Sequence, residues 1–590
     1  MLTTSTAAQR VHDLRAELRR QGLDAFIVPR ADEHQGEYVP PHASRLAWVS
    51  GFTGSAGAAV VFLDRAAVFV DGRYTLQAQT QVDAALFEQR HLIQQPPHRW
   101  LAEQTRRGMR VGFDPWLHTA SDAEKLREAV EAAGGTLVAV EENPLDRVWA
   151  DQPDPPLAPI VPHPDALAGR TSAEKRAAVA GDLKKEHFGA AVISAPDSIA
   201  WLLNVRGGDV SRSPLPLSFA ILHADGALQW FVDERKLKAE FGDVRVAPRD
   251  AFLPALDALK GQRVRVDSAT GAFAIHARLM AAGAVVRSGV DPCALPKAAK
   301  NPVEVEGARA AHRRDAVAMC KFLAWISREG PKGELGEIAA SDRLEAFRRE
   351  SPEFRDLSFD TISGAGSNGA IVHYHSTPQT ERKLTPGELY LVDSGAQYPD
   401  GTTDITRTVA IGMPPAEARE HFTLVLQGHI ALARAVFPKG TGGIQLDALA
   451  RRPLWERGKD YDHGTGHGVG SYLGVHEGPQ RIAKLHNSVA LQVGMICSNE
   501  PGYYKTGAYG IRIENLVVVK SVEVSGAENE MLGFETLTLV PIDRALVVRE
   551  SLTDEEASWL NAYHARVRAE IGPLLDAQTR AWLDAATEAI

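Results

Sequence analysis

Amphipathic helical patterns alternate with short apolar runs along the first 300 residues of the chain. Residues 8–28 have helical periodicity and end in the apolar run AFIV at 25–28. Residues 173–193 repeat that order and end in AAVI at 190–193. This alternation is typical of α/β domains, in which helices cover a sheet. The pattern therefore predicts two α/β domains of similar topology, which arose by a diverged duplication.

Two shorter motifs support the duplication. The dipeptide AW occurs at 47–48 and again at 200–201. The strand-like segment VFVDGR at 68–73 has a counterpart, WFVDER, at 230–235. Each copy places an apolar run before a polar turn, so we expect equivalent strands in the two domains.

A proline-rich segment, DQPDPPLAPIVPHP at 151–164, separates the two copies and is typical of a linker. A softer boundary lies at 291–301, because a long amphipathic helix begins near Val303. The segment 551–590 has a charged helical pattern that opens with a capping motif at Thr553. The predicted domains are residues 1–160, 161–300 and 301–590, the last with a helical extension from about 546 to 590.

Composition narrows the class of protein. The 590 residues are 44% hydrophobic and 24% charged, which is ordinary for a globular protein. A net charge of −10 and a pI near 6.1 argue against a nucleic-acid-binding surface. We identify no secretory signal and no apolar stretch of about 18 residues that would span a membrane. The three cysteines have no CxxC spacing, so we expect a reduced, cytoplasmic protein without membrane or nucleic-acid partners.

The last 200 residues contain five candidate metal ligands, which are four carboxylates and one imidazole. Carboxylate oxygens suit Mn²⁺ or Mg²⁺, and a single histidine also admits Co²⁺ or Zn²⁺. Four negative charges would cancel two divalent cations, and two such cations can hold a hydroxide between them at neutral pH. A hydrolase is therefore the leading interpretation. The candidate ligands are Asp393, Asp404, His467, Glu500 and Glu514.

The first pair of carboxylates is predicted to lie on a β-hairpin. Asp393 ends the apolar run 389–392, and Asp404 lies in the β-prone run 402–409. A Pro-Asp-Gly turn separates the two runs. Facing side chains on neighbouring strands are about 5 Å apart, which would bring the two aspartates together.

A second hairpin is predicted between Glu500 and Glu514, with its turn at 503–510. His467 lies between the two hairpins in HGTGHGVG, whose glycines allow the backbone to approach a crowded centre. Arg512 would share the face of Glu514, where it could hold a ligating aspartate in place. Taken singly, such residues are more often capping or surface groups. Their joint occurrence favours a metal site.

One motif, GAGSNG at 364–369, has the GxGxxG spacing of a dinucleotide-binding loop. In such a loop a helix follows directly, and its N-terminus binds the pyrophosphate. Here the segment 370–375 alternates like a strand, so we reject a nucleotide site. The loop is better suited to present His373 to a nearby cleft.

Longer motifs carry a family resemblance over essentially the whole chain. They are SGAGSNGAIVHYH (363–375), LVDSGAQYPDGTTDITRT (391–408), DHGTGHGVGSYLGVHEGP (462–479), SNEPGYY (498–504) and GIRIEN (510–515). With these motifs the chain resembles the metal-dependent aminopeptidases of the pita-bread fold, specifically aminopeptidase P (Xaa-Pro aminopeptidase). Two further segments, 295–315 and 533–543, favour its long, three-domain cytosolic form.

The resemblance implies an α/β protein in which two similar creatinase-like N-terminal domains precede a pita-bread catalytic domain of α+β type. It implies removal of the N-terminal residue from peptides with proline in the second position, by a hydroxide that bridges two divalent metals. It also implies that these metals are usually Mn²⁺, that the partners are peptides with an Xaa-Pro N-terminus, and that the protein is a homodimer.

The resemblance assigns the five ligands individually. Asp393 would chelate one metal with both of its oxygens, while Asp404 and Glu514 would bridge the two metals. His467 and Glu500 would complete the second metal's shell, and Glu500 would also act as general base. None of the five positions departs from the family pattern.

Three histidines match substrate-binding positions of the family. His476 matches the residue that contacts the peptide at the scissile bond, and His373 matches one credited with proton shuttling or substrate binding. These two would stabilise the tetrahedral intermediate or protonate the leaving nitrogen. His463 matches a residue that lines the cleft, and Tyr504 and Arg512 match supporting positions.

Several related proteins are alternatives. A prolidase cleaves only Xaa-Pro dipeptides, but prolidases of this fold typically carry one N-terminal domain. Methionine aminopeptidases generally lack both N-terminal domains, and creatinases lack the metal ligands. Pita-bread domains also serve as non-catalytic peptide or histone binders, which have typically lost ligands. The additional middle domain and the complete ligand set favour aminopeptidase P.

Overall fold

The computed structural model describes residues 6–590, which form two compact units. The first unit comprises the residues through His163 together with Arg170–Ala294. The second comprises Pro164–Gly169 with Leu295–Ile590. The first unit contains most of both predicted N-terminal domains, but residues 164–169 and 295–300 of the predicted second domain belong to the second unit. The exact domain boundaries stay predictions. None of the helices in the described residues combines the length and the hydropathy needed to cross a membrane.

Two six-stranded sheets of the same topology form the first unit. In each sheet the first strand pairs antiparallel with the second and parallel with the fifth. The remaining strands also match in order and direction, as the duplication predicts. The strands of the first sheet are Ala25–Pro29, Gly57–Phe62, Ala66–Val70, Glu88–His91, Arg110–Phe113 and Thr136–Ala139, and those of the second are Ala190–Ile193, Phe219–His223, Leu228–Phe231, Arg245–Ala247, Arg263–Val266 and Val285–Ser288.

Helices cover these sheets, and the strands that open them are buried. The repeated VFVDGR and WFVDER segments make the same local ion pair, between Asp71 and Arg73 at 2.8 Å and between Asp233 and Arg235 at 2.6 Å. The helices are Ala7–Arg20, Arg45–Ser50, Thr75–Gln81, Pro97–Gln104, Ala120–Ala132, Pro144–Val148, Ser172–Lys185, Pro196–Leu203, Phe252–Asp257 and Phe273–Ala282, and a short two-stranded ladder joins Val161–Pro162 to Val205–Arg206.

The second unit contains helices packed on antiparallel sheets. The long helix begins at Pro302, one residue before the predicted position, and its cap at Asn301 pairs with Glu304. The tail is helical, with the predicted capping box at Thr553. The helices are Pro302–Glu329, Glu337–Arg348, Ala416–Ala433, Gly443–Trp455, Asp554–Ile571 and Ala577–Ala586, with shorter helices at Asp165–Ala168 and Ala294–Ala298.

Four sheets make up the β-structure of this unit. The largest has six strands, in the spatial order Val436–Pro438, Met531–Thr536, Asn515–Val522, Ile496–Asn499, Gly466–Gly468 and Glu477–Ile482. The others are Ile362–Ala365 with Leu389–Ser394 and Ile405–Ala410, then Asp356–Leu357 with Ala396–Tyr398 and Gly401–Thr402, and the hairpin Gly502–Lys505 with Tyr509–Arg512.

The predicted strand at 370–375 is wrong. The motif GAGSNG runs into the 3-10 helix Gly366–Ala370, and a turn containing His373 follows. The cause is a close backbone approach, because a Cβ at Gly510 would lie 1.7 Å from the carbonyl oxygen of Gly369. The alternating pattern therefore reflects a loop packed against the hairpin strand Tyr509–Arg512. The absence of a following α-helix agrees with the rejection of a nucleotide site.

Helix packing in the second unit depends on a second close glycine contact. Gly428 lies in helix Ala416–Ala433, and a Cβ there would lie 2.0 Å from the carbonyl oxygen of Ala450. We expect Gly428→Ala to force this helix away from helix Gly443–Trp455, which contains Ala450. The substitution should lower the free energy of unfolding by about 1–3 kcal/mol. The measurement is thermal unfolding followed by circular dichroism.

Gly181 provides the matched control, because it lies inside helix Ser172–Lys185, where a Cβ would have no neighbouring atom within 4 Å. Gly181→Ala should raise the free energy of unfolding by about 0.5–1 kcal/mol, since alanine favours the helix more than glycine does. An unchanged melting temperature for Gly428→Ala would contradict the helix contact.

Candidate metal centre

The first aspartate pair lies where two small sheets meet. Asp393 is inside strand Leu389–Ser394 and faces Thr406 of strand Ile405–Ala410. Asp404, however, precedes that strand instead of lying within it, which corrects the prediction. The chain leaves the ladder there because Gly395 packs against the carbonyl of residue 403, where a Cβ would lie only 2.0 Å from that oxygen.

The glutamate pair is also placed at strand ends. Glu500 follows strand Ile496–Asn499, and Glu514 precedes strand Asn515–Val522, so Glu514 is not within a strand as predicted. Asn499 and Asn515 face each other in the ladder, which brings the two glutamates to the same end. The intervening hairpin is separate, and its turn lies between Lys505 and Tyr509, which is tighter than predicted.

The structure brings His467 and the carboxylates together. One ligand atom from each of Asp404, His467 and Glu514 lies within 4.8 Å of the others. His467 Nε2 lies 3.5 Å from Asp404 Oδ2 and 3.5 Å from Glu500 Oε1. The other ring nitrogen, Nδ1, lies 2.9 Å from the carbonyl oxygen of Gly468. A neutral ring that donates from Nδ1 to this carbonyl would direct its Nε2 lone pair at the carboxylates.

Three carboxylate oxygens in this centre have no hydrogen-bond partner among the described residues. They are Asp393 Oδ1, Asp404 Oδ1 and Glu514 Oε1, and these residues are at most 8% exposed. A buried oxygen of this kind is costly unless a donor or a cation satisfies it. The donor set therefore fits hard divalent cations, which bind carboxylate oxygens.

Burial and mutual repulsion raise the pKa values of the carboxyl groups in this centre. Burial raises the pKa of Glu500 to about 7 and raises the pKa of Glu514 well above its ordinary value. Burial also raises the pKa of Asp393, and the negative charge of Asp404 adds to that shift despite the opposing charge of Arg512. Protons thus relieve the repulsion between these groups until cations replace them.

The pKa of His467 is also raised, but for a different reason. Burial alone would lower the pKa of His467, but the hydrogen bond to Asp404 and the negative charge of Glu500 outweigh it and raise the pKa to about 9. Without cations, the centre therefore favours a protonated His467 among partly protonated carboxyl groups.

Arg512 lies against Asp393. Its Nη2 donates to Asp393 Oδ2 at 2.6 Å, and its Nε donates to Thr406 Oγ1 at 3.0 Å. Its Nη1 donates to Tyr504 OH at 2.7 Å. The guanidinium thus fixes Asp393 Oδ2, while Asp393 Oδ1 has no hydrogen-bond partner among the described residues.

The three histidines lie around this centre at different depths. His476 packs edge-on against His467, with ring centroids 4.5 Å apart at 82°. His463 Nε2 lies 2.8 Å from Tyr504 OH, and its Nδ1 lies 4.0 Å from Glu500 Oε2. His373 is half-buried in a turn. The carbonyl oxygen of Val372, the residue before it, accepts a hydrogen bond from Arg512 Nη1 at 3.5 Å.

Sequence reasoning missed two hydroxyl groups that contact the ligands. Thr406 Oγ1 donates to Glu514 Oε2 at 2.7 Å. Ser498 Oγ donates to Glu500 Oε1 at 3.2 Å and accepts the backbone N–H of His467 at 2.9 Å. Both lie within two residues of a predicted ligand inside the motifs DITRT and SNEP, which was the signal available.

A third missed residue, Glu337, organises the loop that carries His373. Its side chain is fully buried, and it accepts hydrogen bonds from the backbone of Ala365 at 2.6 Å, from Asn368 Nδ2 at 3.0 Å and from Tyr374 OH at 2.8 Å. Its position in the first turn of a helix gave no indication of this role, because acidic residues are common there.

Family models match nearly every part of the chain. The metallopeptidase family M24 model matches residues 306–521, and the C-terminal region of that family matches 530–590. Creatinase/prolidase N-terminal domain models match 10–148 and 151–304.

Relatives and a solved structure agree with these matches. The chain is 43% identical to aminopeptidase P2 of Arabidopsis thaliana, over 95% of this chain and 85% of that protein. It is 40% identical to a probable Xaa-Pro aminopeptidase P of Paracoccidioides brasiliensis over 100% of both chains. The crystal structure of the X-prolyl aminopeptidase of Caenorhabditis elegans, described as a cytosolic enzyme with a di-nuclear active site, matches with a TM-score of 0.94 and 34% identity over 99% of this chain and 100% of that one. The chain therefore belongs to the aminopeptidase P (Xaa-Pro aminopeptidase) family of M24 metallopeptidases, as its motifs predict.

Proposed function

We propose that the protein is a metal-dependent aminopeptidase that releases the first residue from peptides with proline in the second position. The observation that carries this proposal is the convergence of buried carboxylates around His467, with three oxygens that lack a protein partner among the described residues. The names of relatives 40–43% identical to the chain supply the substrate class. We also propose that it acts as a cytoplasmic homodimer, in line with the family resemblance.

The proposed ligands would hold two divalent cations. Mn²⁺ is favoured because four of the five donors are carboxylates, while Co²⁺, Zn²⁺ and Mg²⁺ are compatible with the set. We assign Asp393 to one cation, Asp404 and Glu514 to both, and His467 and Glu500 to the other. When bound, the pair would supply a hydroxide that bridges them at neutral pH and would polarise the carbonyl group of the substrate.

The chain's own groups would handle the protons. Glu500 is the proposed general base, because its carboxylate lies in the centre beside His467, with Oε1 3.5 Å from His467 Nε2. Ser498 and His467 hold this carboxylate in place. His476 and His373 are proposed to donate hydrogen bonds to the developing oxyanion or to protonate the leaving nitrogen. His463 is proposed to line the cleft beside Tyr504.

Proline specificity follows from the chemistry of the leaving group. A peptide nitrogen of proline is a tertiary amide, which has no N–H to donate and carries a bulky ring. Recognition therefore needs a cleft for the ring and an acid for the nitrogen instead of an acceptor for an N–H. The histidines beside the centre are suited to the second task.

The substrate test compares three peptides on protein stripped of metal, with and without added Mn²⁺. We expect Mn²⁺-dependent release of arginine from Arg-Pro-Pro that is much faster than release from Arg-Ala-Ala. Liquid chromatography of free arginine is the measurement. Cleavage restricted to Arg-Pro would move the assignment to prolidase, and no cleavage with any divalent metal would indicate a binding protein.

The control variant for that test is Asp404→Asn. It removes one of the proposed bridging charges while keeping the side chain's size, so release from Arg-Pro-Pro should disappear. Full activity of this variant would contradict the assignment of Asp404.

The role of Arg512 can be tested by Arg512→Lys. A lysine keeps the charge but cannot contact Asp393, Thr406 and Tyr504 together as the planar guanidinium does. Loss of such support typically lowers metal affinity by about 10–100-fold, and we expect that loss for Mn²⁺. Isothermal titration calorimetry is the measurement. Arg452→Lys is the control because Arg452 is 76% exposed, and equal Mn²⁺ affinities of both variants would rule out the proposed role.

The protonation of the metal-free centre predicts a pH dependence. Glu500 has a pKa of about 7 against an ordinary value of 4.5, and His467 about 9 against 6.5. Between the ordinary and the raised pKa of each group, the folded metal-free protein binds more protons than the unfolded chain. Its free energy of unfolding therefore falls as pH rises through that range. Bound cations replace these protons, so the stability of the metal-loaded protein does not fall with rising pH in this way.

We therefore expect the difference in melting temperature between loaded and metal-stripped protein to widen from pH 5 to pH 9. Differential scanning calorimetry at matched ionic strength measures both forms. A difference that stays constant or narrows with rising pH would contradict the described protonation of the centre.

A further inference from the structure

A buried cluster of three charged side chains lies beside the centre and has no part in the steps above. Glu477 is 4% exposed, and its Oε2 lies 2.9 Å from Lys297 Nζ while its Oε1 lies 2.5 Å from Lys300 Nζ. Both lysines are almost fully buried, at 3% and 5% exposed. Two ammonium groups against one carboxylate give this lysine–glutamate–lysine cluster a net positive charge away from water.

Stability alone does not account for such a cluster. Desolvating three ions costs more than their mutual attraction commonly returns, and apolar side chains of similar size often stabilise a protein as well or better. The cluster does fix geometry, because Lys300 donates a hydrogen bond to Oε1 of Glu477 while Lys297 forms an ion pair with Oε2. The two contacts hold the two carboxylate oxygens from different partners and so restrict the carboxylate to one orientation. The three buried charges therefore serve to hold the Glu477 carboxylate in a fixed orientation.

The residue that this orientation controls most directly is His476. It precedes Glu477 in the chain, and its ring packs against the ring of His467. Glu477 faces Gly468 in the ladder, and a Cβ at Gly468 would lie 2.0 Å from the carbonyl oxygen of Glu477. The backbones that carry the two histidines are therefore in direct contact, and a shift of Glu477 would change the position of His476 relative to His467.

The lysines connect this strand to a second part of the centre. The backbone N–H of Lys300 donates to the carbonyl of Gly494 at 3.1 Å. A Cβ at Gly494 would lie 2.2 Å from the carbonyl oxygen of Lys300, so the two backbones are in contact. Gly494 leads into strand Ile496–Asn499, which ends at Glu500. Lys300 thus joins strand Glu477–Ile482, which directly follows His476, to strand Ile496–Asn499, which ends at the proposed general base.

We propose that Lys297, Glu477 and Lys300 are positioning residues that set the place of His476 beside the scissile bond. The inference rests on the proposed function of His476 in peptide cleavage. It assigns no contact with substrate to the cluster itself, which acts only through His476.

The test is a double-mutant cycle between Glu477→Gln and His476→Ala, measured as kcat and KM on Arg-Pro-Pro with Mn²⁺. Misplacing a catalytic group by about 1 Å can cost on the order of 100-fold, so Glu477→Gln should lower kcat by about 10–100-fold and leave KM nearly unchanged. In the His476→Ala background the same substitution should have no further effect. Equal losses of kcat in both backgrounds would overturn the proposal.

Lys297→Met provides a second variant that keeps one balanced ion pair and should fold if Glu477→Gln does not. It should lower kcat less than Glu477→Gln, and again only when His476 is present. Lys439→Met, which removes an exposed pair with Glu530, should leave kcat unchanged. A kcat for Lys297→Met equal to that of the unaltered protein would also count against the proposal.

A readout that does not depend on activity separates this inference from the proposed function. Crystal structures of the unaltered protein and of Glu477→Gln or Lys297→Met, both loaded with Mn²⁺, should show a changed separation of the His476 and His467 rings from 4.5 Å. The metal ligands should stay in place. An unchanged separation would overturn the positioning role even if the protein cleaves Arg-Pro-Pro, whereas a changed one would support it even if the unaltered protein does not.

Discussion

Carboxylates that are buried near one another repel, and much of the second unit is arranged around that repulsion. Glu500, Glu514 and Asp393 each have a raised pKa, because burial and neighbouring negative charges disfavour the ionised form. Arg512 and a protonated His467 offset only part of this charge. The remaining charge and the unpaired oxygens require either protons or cations, and two divalent cations would neutralise four carboxylates.

The fold meets this requirement by ending strands at the centre. Asp404, Glu500 and Glu514 lie just outside regular strands. The backbone N–H groups of the two glutamates donate to the carbonyl oxygens of Thr465 and Thr406, which holds both residues at the centre. Hydroxyl and guanidinium groups from other strands then hydrogen-bond to one oxygen of a carboxylate, as Thr406 does for Glu514 and Arg512 does for Asp393. Such contacts hold ligands in a binding geometry before any cation is present.

The sequence was informative about the centre because its ligands lie in short motifs with strong turn signals. Asp393 and Asp404 flank a Pro-Asp-Gly turn, and the glycines of HGTGHGVG mark a crowded backbone. The two N-terminal domains were recognisable because each repeats one order of helix and strand with the same acidic turn. Local patterns of this kind survive in the sequence since neighbouring residues produce them.

Several of the features that sequence reasoning missed depend on contacts between distant segments. Glu477 and Lys300 are 177 positions apart, and no local pattern relates them. Likewise, the segment 370–375 alternates like a strand, yet the approach of Gly369 to Gly510 makes it a turn. The strand end at Asp404 likewise depends on a tertiary contact, because Gly395 packs against the carbonyl of residue 403.

The most direct measurement of the central claim is the number of Mn²⁺ ions that the metal-stripped protein binds per chain, determined by equilibrium dialysis and elemental analysis near neutral pH. Charge balance at four carboxylates predicts two ions per chain, with protons released as they bind. One ion or none per chain, or binding without proton release, would contradict the account of a centre whose buried charge is balanced by two cations.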